Sequence, residues 1–107
     1  TYDLVVLFYL QLPPGERRTV WGRAAGAVAP GGTFLLVGHD LLSLSEGVGG
    51  PQAPAVLYTP GDVVAVVGPG GAGLHVERAE RPRRPVEGDD GVTREAIDVL
   101  VRAFRPA

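Results

Sequence analysis

The sequence predicts an α/β protein in which two parallel strands joined by a helix are followed by a second helix and a closing antiparallel pair. Three observations carry that prediction. The run Tyr2 to Tyr9 is apolar without alternation and too short for a stand-alone helix, as expected of a strand covered on both faces. Apolar residues then recur at helical spacing up to Val28, and a second buried strand reads from Thr33 to Val37. Near the other end, residues alternate instead: Ile97, Val99, Val101 and Ala103 on one side, Asp98, Leu100, Arg102 and Phe104 on the other.

Each element has its punctuation. Pro13, Pro14 and Gly15 close the first strand and open a helix, with Glu16 favourable near the positive end of the helix dipole. Val20, Ala24, Ala27 and Val28 form the core stripe, widened by Trp21 and Ala25, which puts Arg17, Arg18 and Arg23 on the solvent side. Pro30-Gly31-Gly32 is expected to stop the helix. Strand, helix and strand over this length make one right-handed crossover, so the two strands should be parallel. A long loop spans Leu41 to Leu57. Thr59-Pro60-Gly61-Asp62 has the form of a capping box, opening a short helix over Val63 to Val67. Leu74 to Arg84 and Arg94 to Phe104, separated by the turn Glu87 to Gly91, should pair antiparallel.

Composition narrows the function. The 107 residues carry a net charge of −2, which leaves no electrostatic footprint for nucleic acid or an anionic membrane. There is no cysteine, which excludes disulfides, thiolate metal sites and a cysteine nucleophile. The longest apolar run, Leu4 to Leu10, is far below a membrane span, and a soluble cytoplasmic protein is expected. One domain is the ceiling at this length.

Three segments could carry chemistry. Gly68-Pro69-Gly70-Gly71-Ala72-Gly73 matches G-x-G-x-x-G, but phosphate binding needs a helix to follow, and LHVERAERPRRP carries two prolines and no core stripe. A helix-to-strand turn is the expectation there. His39-Asp40 stands where ligands bind in open α/β sheets, outside the carboxyl end of a parallel strand. His39 could be a general base or orient a substrate, with Asp40 fixing its tautomer; alternatively, the pair is a solvated strand end in which Asp40 caps a turn. Phe8-Tyr9-Leu10-Gln11-Leu12, at the end of the other parallel strand, could line an apolar cleft with Gln11 as a polar contact, or simply pack. Arg78, Arg81, Arg83 and Arg84 are interleaved with Glu77, Glu80 and Glu87 and read as a solvated face.

At YDLVVLFYL and APGGTFLLVGHD the sequence resembles the second half of a class I S-adenosylmethionine-dependent methyltransferase, in which an (F/Y)DLV strand leads through a helix to PGG and a strand like TFLLVG. YTPGDVVAVVGPGGAGLHVERAE is similar to that family's capped helix, AGL turn and next strand. The resemblance implies a partial doubly wound, Rossmann-like sheet holding the fourth to seventh strands in the order 4-5-7-6. Residues 1–107 would be the C-terminal half of one domain whose first half is absent. S-adenosylmethionine would be the cofactor, with Phe8, Tyr9 and Leu12 on its side of the site. His39 and Asp40 would be the catalytic pair, and Gln11 and Tyr58 would face a small-molecule methyl acceptor. The family's Gly-rich first loop and its ribose-holding acid have no counterpart here, so the chain should need that missing half to bind cofactor. Leu4 to Phe8 would then be a bare apolar edge, open to that half or to a second copy. A non-catalytic α/β module that dimerises through this edge is the alternative.

Overall fold

A computed structural model describes residues 1–44, 47 and 53–107. In chain order the elements are β1 (Tyr2–Phe8), α1 (Pro14–Gly26), β2 (Val28–His39), α2 (Pro60–Val67), β3 (His75–Glu80), β4 (Arg83–Glu87) and β5 (Thr93–Phe104), with 3₁₀ turns at Leu41–Leu44 and Pro54–Val56. The result is an α/β fold with a mixed five-stranded sheet. Part of the long loop expected over Leu41 to Leu57 lies outside the described residues.

The sheet runs β1-β2-β5-β3, with β4 also paired to β5. Among the described strands only β1 and β2 form a parallel pair; β5 runs antiparallel to β2, β3 and β4. β5 alternates from Val99 onward, sending Val99, Val101 and Ala103 into the core beside Phe34 and Leu36 of β2, whereas Ala96, Ile97 and Asp98 are all buried and show no alternation. Trp21 and Ala25 of α1 and Val63 and Val67 of α2 cover that face, so both described helices lie on one side of the sheet. The other side keeps Leu4, Val6 and Phe8 exposed, with Leu35, Val37 and Leu100 half-buried beside them. Among the described residues β1 is therefore an edge strand covered on one face, not two. No helix among the described residues is long and apolar enough to cross a membrane.

Three local expectations are corrected. α1 ends at Gly26, before Pro30-Gly31-Gly32, which instead forms an irregularity within β2: Tyr2 pairs with Val28, but Leu4 already pairs with Thr33. Gly31 takes φ 79°, and a Cβ on Gly32 would crowd the Ala29 and Tyr2 carbonyls at 2.9 Å, so glycines permit the bulge. The carbonyls at the helix end are satisfied from far away, since Arg105 donates to Ala25 O (2.9 Å) and Val28 O (2.8 Å).

Arg17 is the second correction. It is only 8% exposed, lying i−4 from Trp21 on the buried face of α1. Its guanidinium donates to Ala55 O (3.1 Å) and Leu57 O (3.2 Å) and lies 5.5 Å from the Trp21 and Tyr58 ring centres. A helical stripe read by hydropathy alone misses an arginine that enters the core to satisfy loop carbonyls.

Third, the strand expected over Leu74 to Arg84 is two strands, β3 and β4, broken at Arg81-Pro82. Pro82 has no N–H to give a ladder; its carbonyl accepts from Asp98 N at 3.0 Å while Arg81 turns toward Asp40. The capping box of α2 is complete: Asp62 N donates to Thr59 Oγ1 (3.2 Å) and Thr59 N to Asp62 Oδ2 (2.9 Å).

Candidate functional site

The parallel pair ends side by side, with Phe8 opposite Val37, and β5 brings Asp98 opposite His39. Beyond Phe8 the chain turns sharply, because Tyr9 adopts φ 53°, the left-handed region, which costs a bulky residue about 1–2 kcal/mol. What holds Tyr9 there is visible at both ends of the residue. Its N–H donates to Val37 O at 2.7 Å, and its hydroxyl donates to Asp98 Oδ2 at 2.9 Å. Arg84 Nε donates to the same oxygen at 2.8 Å, with its guanidinium 5.7 Å from the Tyr9 ring centre. The His39 imidazole lies against that ring, centroids 4.7 Å apart and planes tilted by 42°.

Tyr9, His39 and Arg84 line an open depression of about 300 Å³. Beneath it Asp98 is buried, its side chain 6% exposed. Asp98 Oδ1 stands 3.9 Å from His39 Nδ1, and neither atom has a hydrogen-bond partner among the described residues. The environment shifts all three lining groups. Burial lowers the His39 pKa, opposed by the Asp98 charge and reinforced by Arg84. Burial raises that of Tyr9, helped by the hydrogen bond to Asp98. The hydrogen bond to Asp98 raises that of Arg84. The arrangement is a neutral imidazole poised over a carboxylate, with a cation at its side.

The other residues singled out in the sequence have different places. Asp40 is fully buried; its carboxylate takes Arg81 Nε at 2.9 Å and Leu42 N at 2.8 Å, so the carboxylate beside the His39 ring is Asp98 instead. Gln11 uses both ends of its amide within the chain, donating to Val56 O (2.5 Å) and accepting from His39 N (3.0 Å). It thereby pins the β1–α1 connection to the end of β2. Tyr58 is a core residue, 1% exposed and edge-on to Trp21 at 4.8 Å, with its pKa pushed up to about 12 by burial. Phe8 is exposed on the open face of the sheet, and Leu12 is half-buried in the connection that follows.

Gly68 to Gly73 is the turn that ends α2 and leads to β3. Most of its amides are spent on the chain itself: Gly68 N on Val64 O (2.9 Å), Gly71 N on Gly68 O (3.0 Å), Ala72 N on Val66 O (2.8 Å) and Gly73 N on Gly68 O (2.9 Å). A strand follows, not a helix, so no helix N-terminus faces these glycines. Among the described residues no cluster of His, Asp and Glu is arranged to hold a metal ion.

Sequence reasoning overlooked Asp98, Arg84 and Arg81. Their signal was in the register: once β5 is laid antiparallel to β2, Leu36 opposite Val101 places Asp98 opposite His39. No family model and no curated protein matches this chain.

Proposed function

We propose that this chain forms the acceptor-facing part of an S-adenosylmethionine-dependent methyltransferase, acting on a small molecule in the cytoplasm as part of a longer chain. The observation that carries the proposal is the strand order β1-β2-β5-β3. It equals the 4-5-7-6 order that the resemblance implies, with the last strand inserted antiparallel between the second and third. Two further features support it. The polar and aromatic side chains gather at the carboxyl ends of the parallel pair, where open α/β sheets bind ligands. The open face of the sheet carries Leu4, Val6 and Phe8, apolar surface that a further layer would bury.

The fit to the cofactor is partial. Exposed Phe8 and Tyr9 offer apolar contact to a methionine side chain, and about 300 Å³ is at the small end for a ligand pocket. Neither buried carboxylate is open to ribose hydroxyls: Asp40 is sealed by Arg81, and Asp98 lies beneath the depression. The chain's own share is thus to orient an acceptor and to hold its proton, and S-adenosylmethionine, when bound with the help of the remaining half, supplies the electrophilic methyl group. Calorimetric titration with S-adenosylmethionine tests this, using the chain alone and the chain extended through its upstream reading frame. Heat from the extended chain only is expected; no binding by either overturns the proposal.

A second reading has one observation in its favour. Tyr2, Leu4, Val6 and Phe8 of edge strand β1 are 65, 60, 44 and 58% exposed, an apolar margin suited to pairing with a second copy. Sedimentation over a range of concentrations separates the readings, since a stable dimer indifferent to cofactor supports the non-catalytic module.

A further inference from the structure

We propose that Tyr9, His39, Arg84 and Asp98 form a binding site for a small carboxylic acid that also carries an O–H group, with the carboxylate on Arg84 and the hydroxyl on His39 Nε2. The inference rests on the methyltransferase reading and gives its acceptor a chemical class.

The argument begins with Asp98. Two donors, the Tyr9 hydroxyl and Arg84 Nε, converge on its Oδ2, while Oδ1 is buried and unpartnered below the imidazole. A carboxylate held in this way can only accept hydrogen bonds. The nitrogen facing it, His39 Nδ1, is therefore the one that carries the proton in neutral imidazole, and Nε2 keeps its lone pair. Asp98 acts here as a positioning residue, setting the tautomer of a ring already oriented by Tyr9. The charged and titratable groups facing His39 come from three elements: Asp98 on β5, Arg84 on β4 and Tyr9 after β1. Their balance, with burial, keeps the ring neutral and able to accept a proton near neutral pH.

Arg84 supplies the second half of the specificity. Its Nε is committed to Asp98, but the side chain is 43% exposed and its guanidinium lines the depression. The remaining N–H groups form a planar fork that suits a carboxylate better than a point charge would. An open depression of about 300 Å³ has room for a single ring or its equivalent against these side chains. When the bound hydroxyl ionises, its proton passes to Nε2 and the electron pair stays on oxygen, leaving a nucleophile fixed at the mouth of the site. The imidazolium so formed sits 3.9 Å from the Asp98 carboxylate.

Nuclear magnetic resonance of the isotope-labelled chain tests the proposal, with 4-hydroxybenzoate as the probe and phenol and benzoate as its halves. The free chain should show His39 as the Nδ1–H tautomer, and D98N should abolish that preference. Millimolar 4-hydroxybenzoate should shift the His39 ring signals, phenol and benzoate should each bind at least tenfold more weakly, and R84Q should weaken the full probe by a similar factor. R84K, which keeps the charge without the fork, should fall between and serves if R84Q does not fold. Absence of a shift at His39, equal binding of phenol and 4-hydroxybenzoate, or indifference to both Arg84 variants would overturn the assignment. None of these measurements involves S-adenosylmethionine. Their failure would leave the calorimetric result standing, and the reverse also holds.

Discussion

Gly38 lies directly against the Tyr58 hydroxyl, and a Cβ at position 38 would fall well inside contact distance of that oxygen and 2.7 Å from the ring carbon bearing it. The pair sits between the core and the candidate site, since Gly38 precedes His39 and the same Cβ would come within 2.9 Å of the Gln11 amide oxygen. Gly38→Ala should therefore destabilise the fold by about 1–3 kcal/mol, the usual cost of overpacking. Urea unfolding checks this through a lower midpoint at unchanged slope. Pairing the change with Tyr58→Phe, which removes the crowded oxygen, should recover part of the loss.

Tyr58 also makes stability depend on alkaline pH. Its folded pKa is raised to about 12, whereas an unfolded tyrosine ionises near 10. Between these values the folded state holds a proton that the unfolded state has lost, so stability falls as pH rises across the window. Two pH units correspond to roughly 2–3 kcal/mol. Thermal midpoints should fall from pH 10 upward, and Tyr58→Phe should flatten the curve; Tyr9, raised as well, adds a slope of the same sign.

His39 gives the opposite dependence at acid pH. Its folded pKa lies below the ordinary 6.5, so folding favours the neutral ring, and stability is lost as pH falls through 6.5 toward the folded value. Removing the attraction of Asp98 with D98N should lower the His39 midpoint further, and R84Q should raise it. The ring resonances followed against pH decide both signs.

Asp40 and Arg81 test whether the first carboxylate after His39 is structural. Arg81→Ala strips the cation from a fully buried carboxylate that retains Leu42 N as a donor. The expected cost is about 1–3 kcal/mol, below that of a wholly buried pair because Arg81 is half-exposed. Denaturant unfolding measures it, and binding of a ligand at His39 should be unchanged in the folded variant.

At the open edge, Val6→Lys places a charge on the exposed face of β1. If copies of the chain meet through that strand, wild-type sedimentation should rise with concentration and the variant's should not, with stability altered by no more than about 0.5 kcal/mol. Equal behaviour of the two removes β1 as a self-association surface.

What could be read in advance follows from where each signal resides. β1, α1 and the capping box of α2 show in local spacing, so Tyr2–Phe8 and Thr59 with Asp62 were legible. Arg17 was not, because an arginine looks solvated until the loop carbonyls it serves are known. His39 and Tyr9 stood out by lying at strand ends, whereas Asp98 is joined to Tyr9 across 89 positions of sequence. Only tertiary register makes that connection. By spacing alone the Arg78 to Arg84 cluster reads as one solvated face, yet Arg81 and Arg84 each serve a buried carboxylate. A charge count cannot tell these from Arg78, which pairs with exposed Glu80 on its own strand.

The central position of β5 bears on the order in which this molecule can assemble. Among the described residues, β3 and β4 join the sheet through β5 alone, and β5 follows both in sequence, so the ladder beyond β2 stays interrupted until that segment has left the ribosome. Phe34 and Leu36 must wait for Val99, Val101 and Ala103 to complete their surroundings. Only the β1-α1-β2 crossover can form early, and it does so with its inner margin unpaired. Closure is thus a late, long-range event that should slow folding, and a nascent chain halted before Thr93 would display the adhesive flank of β2 to its neighbours.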